Sequence, residues 1–290
     1  MIAFRAMIGS EREIDWGNDI WTLHTNEKQG RDKMAFRLKL IQERLGGGEL
    51  VMCFTGKGNF RKVIDPTYKL NRKATRKPLG YAAAVEWITT GEAKDSFGPY
   101  RPIVMDGLEA DDVMGILATK PGNEGRCIIV SDDKDMQCIP TRVWRKPAVE
   151  EDAEDTAEDI GPADVEPRQI IDVSTEMADR FHLAQAMAGD TSDGYPGCPG
   201  VGMVTALELL DKGLKFEPYT KVISKGKRQG QEETAWERVA ADNPWQTVVS
   251  CYLKAGQTEA QAITQARLAR ILRWSDWDHK RKEPILWQPK

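Results

Sequence analysis

The chain has 290 residues and a net charge of −4, with 40% hydrophobic and 30% charged residues, a balance typical of a globular protein of one large or two modest domains. No apolar run approaches the roughly 20 residues that span a bilayer, so we expect no membrane partner. The five cysteines are scattered without a CxxC pair and only three histidines occur, which argues against zinc sites and disulfides and favours the cytoplasm.

Hydrophobic spacing predicts strands that alternate with helices in the first part of the chain. In order we expect a helix at 26–45, a strand at 49–54, a helix from Pro78 through Trp87, a strand at 101–105, a helix at 109–119, and strands at 126–131 and 169–173. This alternation is typical of an α/β fold with a parallel sheet. From there on the pattern is helical throughout, with helices expected at 174–188, 201–211, 245–253 and 258–274.

Charge is distributed unevenly along the chain. Eight basic residues and a single acid lie between Lys57 and Lys77, with Phe60 and Tyr68 among them. Between 150 and 166 there are nine acids and no base, a composition typical of a solvated linker. We therefore expect an α/β core at 1–148, an acidic insert or linker at 149–168 and a helical region at 169–290.

Three groups of carboxylates follow predicted strands or end a predicted helix. They are Glu109, Asp111 and Asp112, then Asp133 and Asp135, and finally Asp190 and Asp193. Any one group could cap a helix, because acids are stabilised in a helix's first turn. Three groups together would repel one another unless cations neutralise them. Since ligands bind outside the carboxyl ends of parallel strands, we expect an all-oxygen site for two Mg²⁺ or Mn²⁺ ions that hydrolyses phosphodiesters.

A glycine-proline turn follows the last acidic pair. Residues 194–202 read GYPGCPGVG, and the apolar run TALELL after them predicts a helix. Small residues let a phosphate backbone approach closely, and a helix N-terminus attracts phosphate. The turn is therefore expected to grip DNA, with Gly197, Gly200 and Gly202 as its contact residues.

Several motifs resemble those of a known family. EADD at 109–112, SDDKD at 131–135 and GDTSDGYPGCPGVG at 189–202 resemble the acidic motifs and the helix-three-turn-helix of the 5′-nuclease (flap endonuclease-like) family. YKLNR at 68–72 is similar to its basic motif. Within the family, the stretches DPTYKLNRK at 65–73, GYAAAVEW at 80–87 and ISKGKRQGQE at 223–232 most resemble the 5′→3′ exonuclease of short-tailed bacteriophages. The resemblance implies a metal-dependent nuclease core at 1–148 and a helix-three-turn-helix at 189–211.

The resemblance also implies roles for individual residues. One metal site would be built or supported by Glu109, Asp111, Asp112 and Asp133, and a second by Asp135, Asp190 and Asp193, with Asp133 near both. The expected phosphate and base contacts are Lys69 and Arg72 on the scissile phosphate and Tyr68 stacked on a base near the 5′ end. Further DNA contacts are expected from Arg61, Lys62 and Lys73, and the turn is a candidate site for K⁺.

The implied activity is 5′→3′ exonucleolytic hydrolysis of duplex DNA with a free 5′ end during phage DNA replication, in the host cytoplasm. RNA primers, RNA–DNA hybrids and flaps are further candidate substrates. Two departures from the family pattern count against full activity. The family's first strand and its aspartate would precede residues 1–6, which predicts a displaced start or a fragment, and Gly56 stands where the phage motif has an aspartate.

Two other functions stay open. A DNA-binding homologue that has lost its chemistry would explain Gly56 and the missing strand, but it would leave seven clustered carboxylates without a purpose. A carboxylate-based phosphatase without a nucleic-acid partner would explain the acids, but not the basic stretch at 57–77.

Overall fold

The computed structural model describes residues 1–74, 76–146 and 168–289. The predicted acidic linker at 149–168 lies outside the described residues except for Arg168. The chain forms two compact units that interleave along the sequence. Unit 1 contains Met1–Lys57, Ala74–Val113 and Lys146–Gln169, and unit 2 contains Gly58–Lys73, Met114–Arg145 and Ile170–Lys290.

The described residues form a series of helices and strands. In chain order these are α1 (Ile2–Ile8), β1 (Glu11–Asp15), β2 (Trp21–Thr25), α2 (Glu27–Arg44), β3 (Leu50–Thr55), α3 (Arg61–Ile64), α4 (Tyr81–Thr89), α5 (Lys94–Phe97), β4 (Tyr100–Met105), α6 (Ala110–Ala118), β5 (Ile128–Val130), β6 (Arg142–Arg145), β7 (Gln169–Asp172), α7 (Thr175–Ala188), α8 (Met203–Asp211), β8 (Leu214–Val222), β9 (Glu232–Ala240), α9 (Pro244–Lys254), α10 (Glu259–Ala269), β10 (Trp277–Asp278) and β11 (Glu283–Pro284).

Unit 1 is built on the parallel pair β3 and β4. Their register runs from Leu50 opposite Tyr100 to Thr55 opposite Met105, so both strands end at the same edge. The long helix α2 begins at an Asn26 cap, whose side chain accepts a 3.0 Å hydrogen bond from Gln29 N. Buried side chains of α1, α2, α4 and α5 form the core beside this pair. The predicted helix at 26–45 and the strands at 49–54 and 101–105 are confirmed.

Unit 2 combines a small sheet with a group of packed helices. The sheet has the strand order β5-β6-β7, and β5 and β6 are parallel. Helix α7 begins at Ser174, whose hydroxyl accepts a 3.2 Å hydrogen bond from Met177 N. It packs against α8, α9 and α10 around a buried cluster that includes Met187, Leu209 and Tyr252. The core of this unit therefore fixes the C-terminal end of α7, where the turn of residues 189–195, the Asp190 turn, begins.

Three expectations about the fold are wrong. The parallel strands belong to two separate sheets rather than to one. The C-terminal region is not all helical, because β8 and β9 form an antiparallel hairpin over residues 214–240, and β10 and β11 form a second one. The helix expected at 258–274 ends at Ala269, because Arg270 takes an extended conformation with φ −69° and ψ 116°. The hairpin of β1 and β2 was not expected at all. In the described part of the chain, no helix is long and apolar enough to cross a membrane.

Candidate active site

The chain leaves α7 at Ala188 and closes a tight turn that holds the last acidic pair. Gly189 turns with φ +72°, and Asp190 and Tyr195 exchange backbone hydrogen bonds of 2.8 and 3.1 Å. Asp190 Oδ1 accepts hydrogen bonds from Ser192 N at 2.8 Å, Ser192 Oγ at 2.6 Å and Asp193 N at 3.2 Å. Burial would raise the pKa of Asp190, but the Ser192 hydrogen bond and the Lys134 charge hold it below its usual value. Asp190 is therefore an oriented carboxylate at neutral pH.

The basic segment, residues 57–77, contacts this turn at Asp193, whose side chain is almost fully buried. Tyr68 Oη donates to Asp193 Oδ2 at 2.9 Å, and Lys69 Nζ lies 3.2 Å from the same oxygen. Arg72 Nη2 lies 2.6 Å from Asp193 Oδ1, while its Nε donates to the Ser192 carbonyl at 2.9 Å. The predicted phosphate ligands Lys69 and Arg72 and the predicted metal ligand Asp193 thus form one cluster, although about half of the Arg72 side chain stays exposed.

The second acidic group lies in the same part of unit 2. Asp133 caps a short 3₁₀ turn, and its Oδ1 accepts a 3.0 Å hydrogen bond from Asp135 N. Asp135 Oδ1 accepts a hydrogen bond from the Gln185 amide, whose oxygen in turn lies 2.9 Å from Cys138 Sγ. Burial raises the pKa of Asp135 to about 7, and the charges of Asp133, Asp190 and Asp193 add to the rise. Four of the predicted ligands therefore lie close enough to repel one another.

The first acidic group lies in unit 1, at the beginning of α6. Asp111 and Asp112 occupy the first turn of that helix, and Asp112 Oδ2 accepts a 3.2 Å hydrogen bond from Glu109 N. Asp112 is fully buried. Burial raises the pKa of the Cys53 thiol on β3 to about 12, and the charge of Asp111 contributes to the rise. The group thus follows β4 in the chain and lies beside the carboxyl end of β3, where Ala110 N donates to Thr55 Oγ1 at 3.2 Å.

Gly56 follows β3 where the backbone of β4 passes very close. A Cβ atom at this position would lie 2.1 Å from the Met105 carbonyl oxygen and 2.8 Å from Asp106 Cα. Gly56 N also donates to the Leu108 carbonyl at 3.0 Å, and Lys57 N donates to Asp106 Oδ1 at 2.9 Å. No side chain fits here without a shift of backbone, so glycine is required by the crossing of these two segments.

Three predicted DNA contacts have other roles in the structure. Arg61 is buried, and its guanidinium donates to the carbonyls of Leu268, at 2.9 Å, and of Arg270. Tyr68 is only 2% exposed and stacks on Tyr195 with ring centroids 6.5 Å apart, so no base can stack on it. Gly197 is buried, and its N–H donates to Gln265 Oε1 at 2.9 Å, which leaves no donor for phosphate. These three residues make buried contacts within unit 2.

The other predicted DNA contacts remain accessible. Lys62 is exposed on α3, and Gly200 and Gly202 are exposed in the turn before α8. Gly200 has φ +77° with open space around it, and Gly202 is the N-terminal cap of α8. The side chain of Lys73 lies outside the described residues. The exposed residues of the turn are thus Pro196, Pro199, Gly200 and Gly202.

The oxygen-rich composition of the unit 2 cluster fits a hard divalent cation such as Mg²⁺ or Mn²⁺. A cation there would relieve the repulsion that raises the pKa of Asp135. In residues 1–74, 76–146 and 168–289, however, no group of three or more His, Cys, Asp or Glu side chains is arranged to hold a metal ion. Basic groups lie against the carboxylates instead, with Lys134 Nζ 3.5 Å from Asp190 Oδ2. The assignment of metal ligands remains a prediction.

Sequence reasoning missed three residues that shape this cluster. Gln185 orients Asp135, Lys134 pairs with Asp190, and the Asn71 amide donates to the Thr191 carbonyl at 2.9 Å. Only Gln185 carries a sequence signal, since it is a polar residue within the buried face of α7. Lys134 and Asn71 are surface residues, and their partners are identified only by the contact between the basic segment and the Asp190 turn.

Comparison with known proteins places this geometry in context. Residues 22–167 match the family model for the 5′-3′ exonuclease N-terminal, resolvase-like domain. The exodeoxyribonuclease of Enterobacteria phage T3 is 33% identical over 100% of this chain and 90% of its own. The exonuclease of Escherichia phage T7 is 32% identical over 99% of this chain and 91% of its own. A solved structure of the T5 D15 protein, co-crystallized with metal ions, aligns over 64% of this chain and 70% of its own, with 16% identity and a TM-score of 0.47. The two phage relatives span both the basic segment and the Asp190 turn.

Proposed function

The chain belongs to the 5′–3′ exonuclease family and is a hydrolytic nuclease, and from that premise we propose that it degrades duplex DNA from a free 5′ end with divalent metal ions. The observation that carries the proposal is the cluster in which Lys69 and Arg72 lie on Asp193, beside Asp190 and Asp135. RNA–DNA hybrids and flaps are proposed as further substrates, and the host cytoplasm as the location.

We propose that Asp133, Asp135, Asp190 and Asp193 hold one divalent ion, and that Glu109, Asp111 and Asp112 serve another. When bound, such ions supply an activated water and stabilise charge on the phosphate. Lys69 and Arg72 contribute by binding the scissile phosphate, since their cationic groups already lie at the carboxylates. Tyr68 acts through its hydrogen bond to Asp193, which fixes the orientation of that carboxylate.

We propose that residues 189–211 form a helix-three-turn-helix, in which the glycine turn at 194–202 is the loop and α8 is the second helix. Gly200 and Gly202 are exposed and have open space around them, so a phosphate backbone can approach the N-terminus of α8 closely. K⁺ bound by this turn is part of the same proposal. Contacts of this kind position the duplex without reading its sequence.

A catalytically impaired DNA-binding homologue is the second candidate, and Gly56 favours it. The tight crossing at Gly56 leaves no space for the carboxylate expected there, so the unit 1 acids must act without it. The two candidates share the DNA-binding surface and differ in whether phosphodiester bonds are broken.

The test uses a blunt duplex labelled at its 5′ end, incubated with the full chain and Mg²⁺ or Mn²⁺, with EDTA as the blank. We expect labelled 5′ mononucleotides, and we expect Asp193→Asn and Asp190→Asn to lower the rate by about 100-fold or more. Asp172→Asn is the matched control, because this exposed acid at the end of β7 lies outside the cluster. Calorimetric titration with Mn²⁺ should show weaker binding for the two cluster variants alone. A chain that binds duplex but releases no nucleotide under any of these conditions supports the impaired homologue.

A further inference from the structure

The hairpin of β8 and β9, together with the loop 223–231 that joins them, forms an arm that we name the basic arm. Its base is fixed to α9, where Phe216 N donates to Ser250 Oγ at 2.9 Å and Lys254 Nζ lies 3.6 Å from the centre of the Phe216 ring. Ala241 N closes the base with a 2.8 Å hydrogen bond to the Gly213 carbonyl. The arm therefore extends from a defined point on the helical part of unit 2.

Beyond this base the arm contributes little to the core. The first three residues of β8 are partly buried, whereas all six from Glu217 to Val222 are exposed. Tyr219 and Val222 are 43% and 57% exposed. Nine-residue strands at about 3.4 Å per residue give the arm a length of roughly 30 Å. A long hairpin that buries so little of itself suggests a binding partner outside the chain.

The end of the arm is strongly basic, in contrast to the acidic average of the chain. Lys221, Lys225, Lys227 and Arg228 lie there, and residues 218–231 contain no acid. Arg228 makes a loose contact with a carboxylate of β9, since its Nη2 lies 3.7 Å from Glu233 Oε2. The loop is nevertheless ordered by backbone hydrogen bonds, because Ile223 N donates to the Gln231 carbonyl and Gly230 N to the Ile223 carbonyl, both at 2.9 Å. Glu232 and Glu233 lie opposite Val222 and Lys221 at the beginning of β9, so the ordered loop 223–231, whose charged side chains are all basic, is the part of the arm that fits a polyanion.

We propose that the basic arm is a second contact site for duplex DNA and binds backbone phosphates beyond those at the glycine turn. The inference rests on the proposed function, since it assumes that unit 2 binds duplex. Helix α8, about 13 Å long, joins the glycine turn directly to the arm. The arm's length approaches the roughly 34 Å of one duplex turn, so its tip can contact phosphates well away from the cut end.

The chemistry of the tip limits what kind of contact it makes. Lysine and arginine side chains bind phosphates as cations, and such contacts depend strongly on salt because they release counterions. The described loop 223–231 carries no aromatic side chain for base stacking and no acid for reading cytosine. The arm therefore contacts duplex without stacking on its bases, and its lysine and arginine side chains bind the backbone phosphates.

The test compares two triple variants that each remove three positive charges. Lys225→Ser, Lys227→Ser and Arg228→Ser alter the arm, and Lys280→Ser, Arg281→Ser and Lys282→Ser alter the exposed turn between β10 and β11 as the matched control. Fluorescence anisotropy in EDTA gives the affinity for a blunt duplex of about three turns and for one of about one turn, across KCl concentrations. Because EDTA prevents cleavage, the measurement is separate from the nuclease assay.

For the longer duplex we expect the arm variant to lower the slope of log K against log salt by about 2 to 3, close to 0.9 for each lost phosphate contact. The control triple should leave the slope unchanged, and the shorter duplex should show a smaller effect of the arm variant. Equal losses in both triples would mean that net charge alone matters, and would overturn the proposal. An arm variant that binds like the unaltered chain would overturn it too. Release of mononucleotides by the unaltered chain tests the proposed function independently.

Discussion

The crossing at Gly56 allows a sharp test of whether the missing carboxylate can be restored. In Gly56→Ala, the new Cβ atom would lie 2.1 Å from the Met105 carbonyl oxygen, so the end of β3 or of β4 must move by about 1 Å. Such a move strains the parallel pair and the 3.0 Å hydrogen bond from Gly56 N to the Leu108 carbonyl. Overpacking typically costs 1–3 kcal/mol, and one weakened backbone hydrogen bond costs about 1 kcal/mol more. We expect a loss of about 3 kcal/mol in the free energy of unfolding.

Thermal unfolding of purified variants measures this loss. At roughly 2–4 °C per kcal/mol, Gly56→Ala should lower the midpoint by about 6–12 °C, and Gly56→Asp should lower it at least as much. Gly202→Ala is the control, because its φ is −91° and nothing lies within 4 Å of the added atom, so stability should fall by about 1 kcal/mol or less, the cost of alanine at the N-terminal cap of α8. The reasoning is refuted if Gly56→Asp melts like the unaltered chain and cleaves DNA faster.

Three further predictions concern buried polar side chains of unit 2. Arg61→Met should lower the free energy of unfolding by about 3 kcal/mol in thermal unfolding, because the carbonyls of Leu268 and Arg270 lose their donor. An unchanged midpoint together with weaker DNA binding would instead support the surface role that the sequence predicted for Arg61. Tyr68→Phe should lower stability by about 1 kcal/mol and slow DNA cleavage, since Asp193 loses an orienting hydrogen bond; equal rates in a nuclease assay would contradict this. Burial and the Arg270 charge lower the pKa of His182 to about 3, below its usual value near 6.5, so the unfolded chain binds the proton first as pH falls. The stability of the unaltered chain relative to His182→Gln, which can still donate to the Ala266 carbonyl, should therefore drop by roughly 2–3 kcal/mol between about pH 6.5 and pH 4.5 in denaturant titrations. The comparison of the two chains isolates the His182 contribution, because the raised pKa of Asp135 changes stability in the opposite direction in both.

Local signals in the sequence were enough to predict several elements. The apolar spacing of Met34 and Leu38 predicted α2, and short apolar runs predicted β3 and β4. The hairpin of β1 and β2 was missed because its strands are almost wholly exposed and β1 lacks an apolar alternation. The basic arm was missed for a related reason, since only the first part of β8 packs on the core and the rest follows no burial pattern.

The candidate site was also predicted only in part from the sequence. Motifs predicted that Asp190, Asp193 and the basic segment would serve one site, and the structure brings them together. The roles of Arg61 and Gly197 could not be predicted, because a basic residue in a charged run and a glycine in a turn look the same whether exposed or buried. Their partners, the carbonyl of Leu268 and the Gln265 side chain, lie far along the chain, and only the tertiary fold identifies them.

The burial of Arg61 has a consequence for the order in which the protein matures. Its carbonyl partners are 207 and 209 residues further along the chain, so the ribosome must add at least that many residues after Arg61 before either hydrogen bond can form. Until then the Arg61 guanidinium has neither of these carbonyls to accept its hydrogen bonds, and contacts so distant in sequence form late. Synthesis itself thus delays the final placement of the segment that carries Lys69 and Arg72 until the residues around Leu268 and Arg270 have been made.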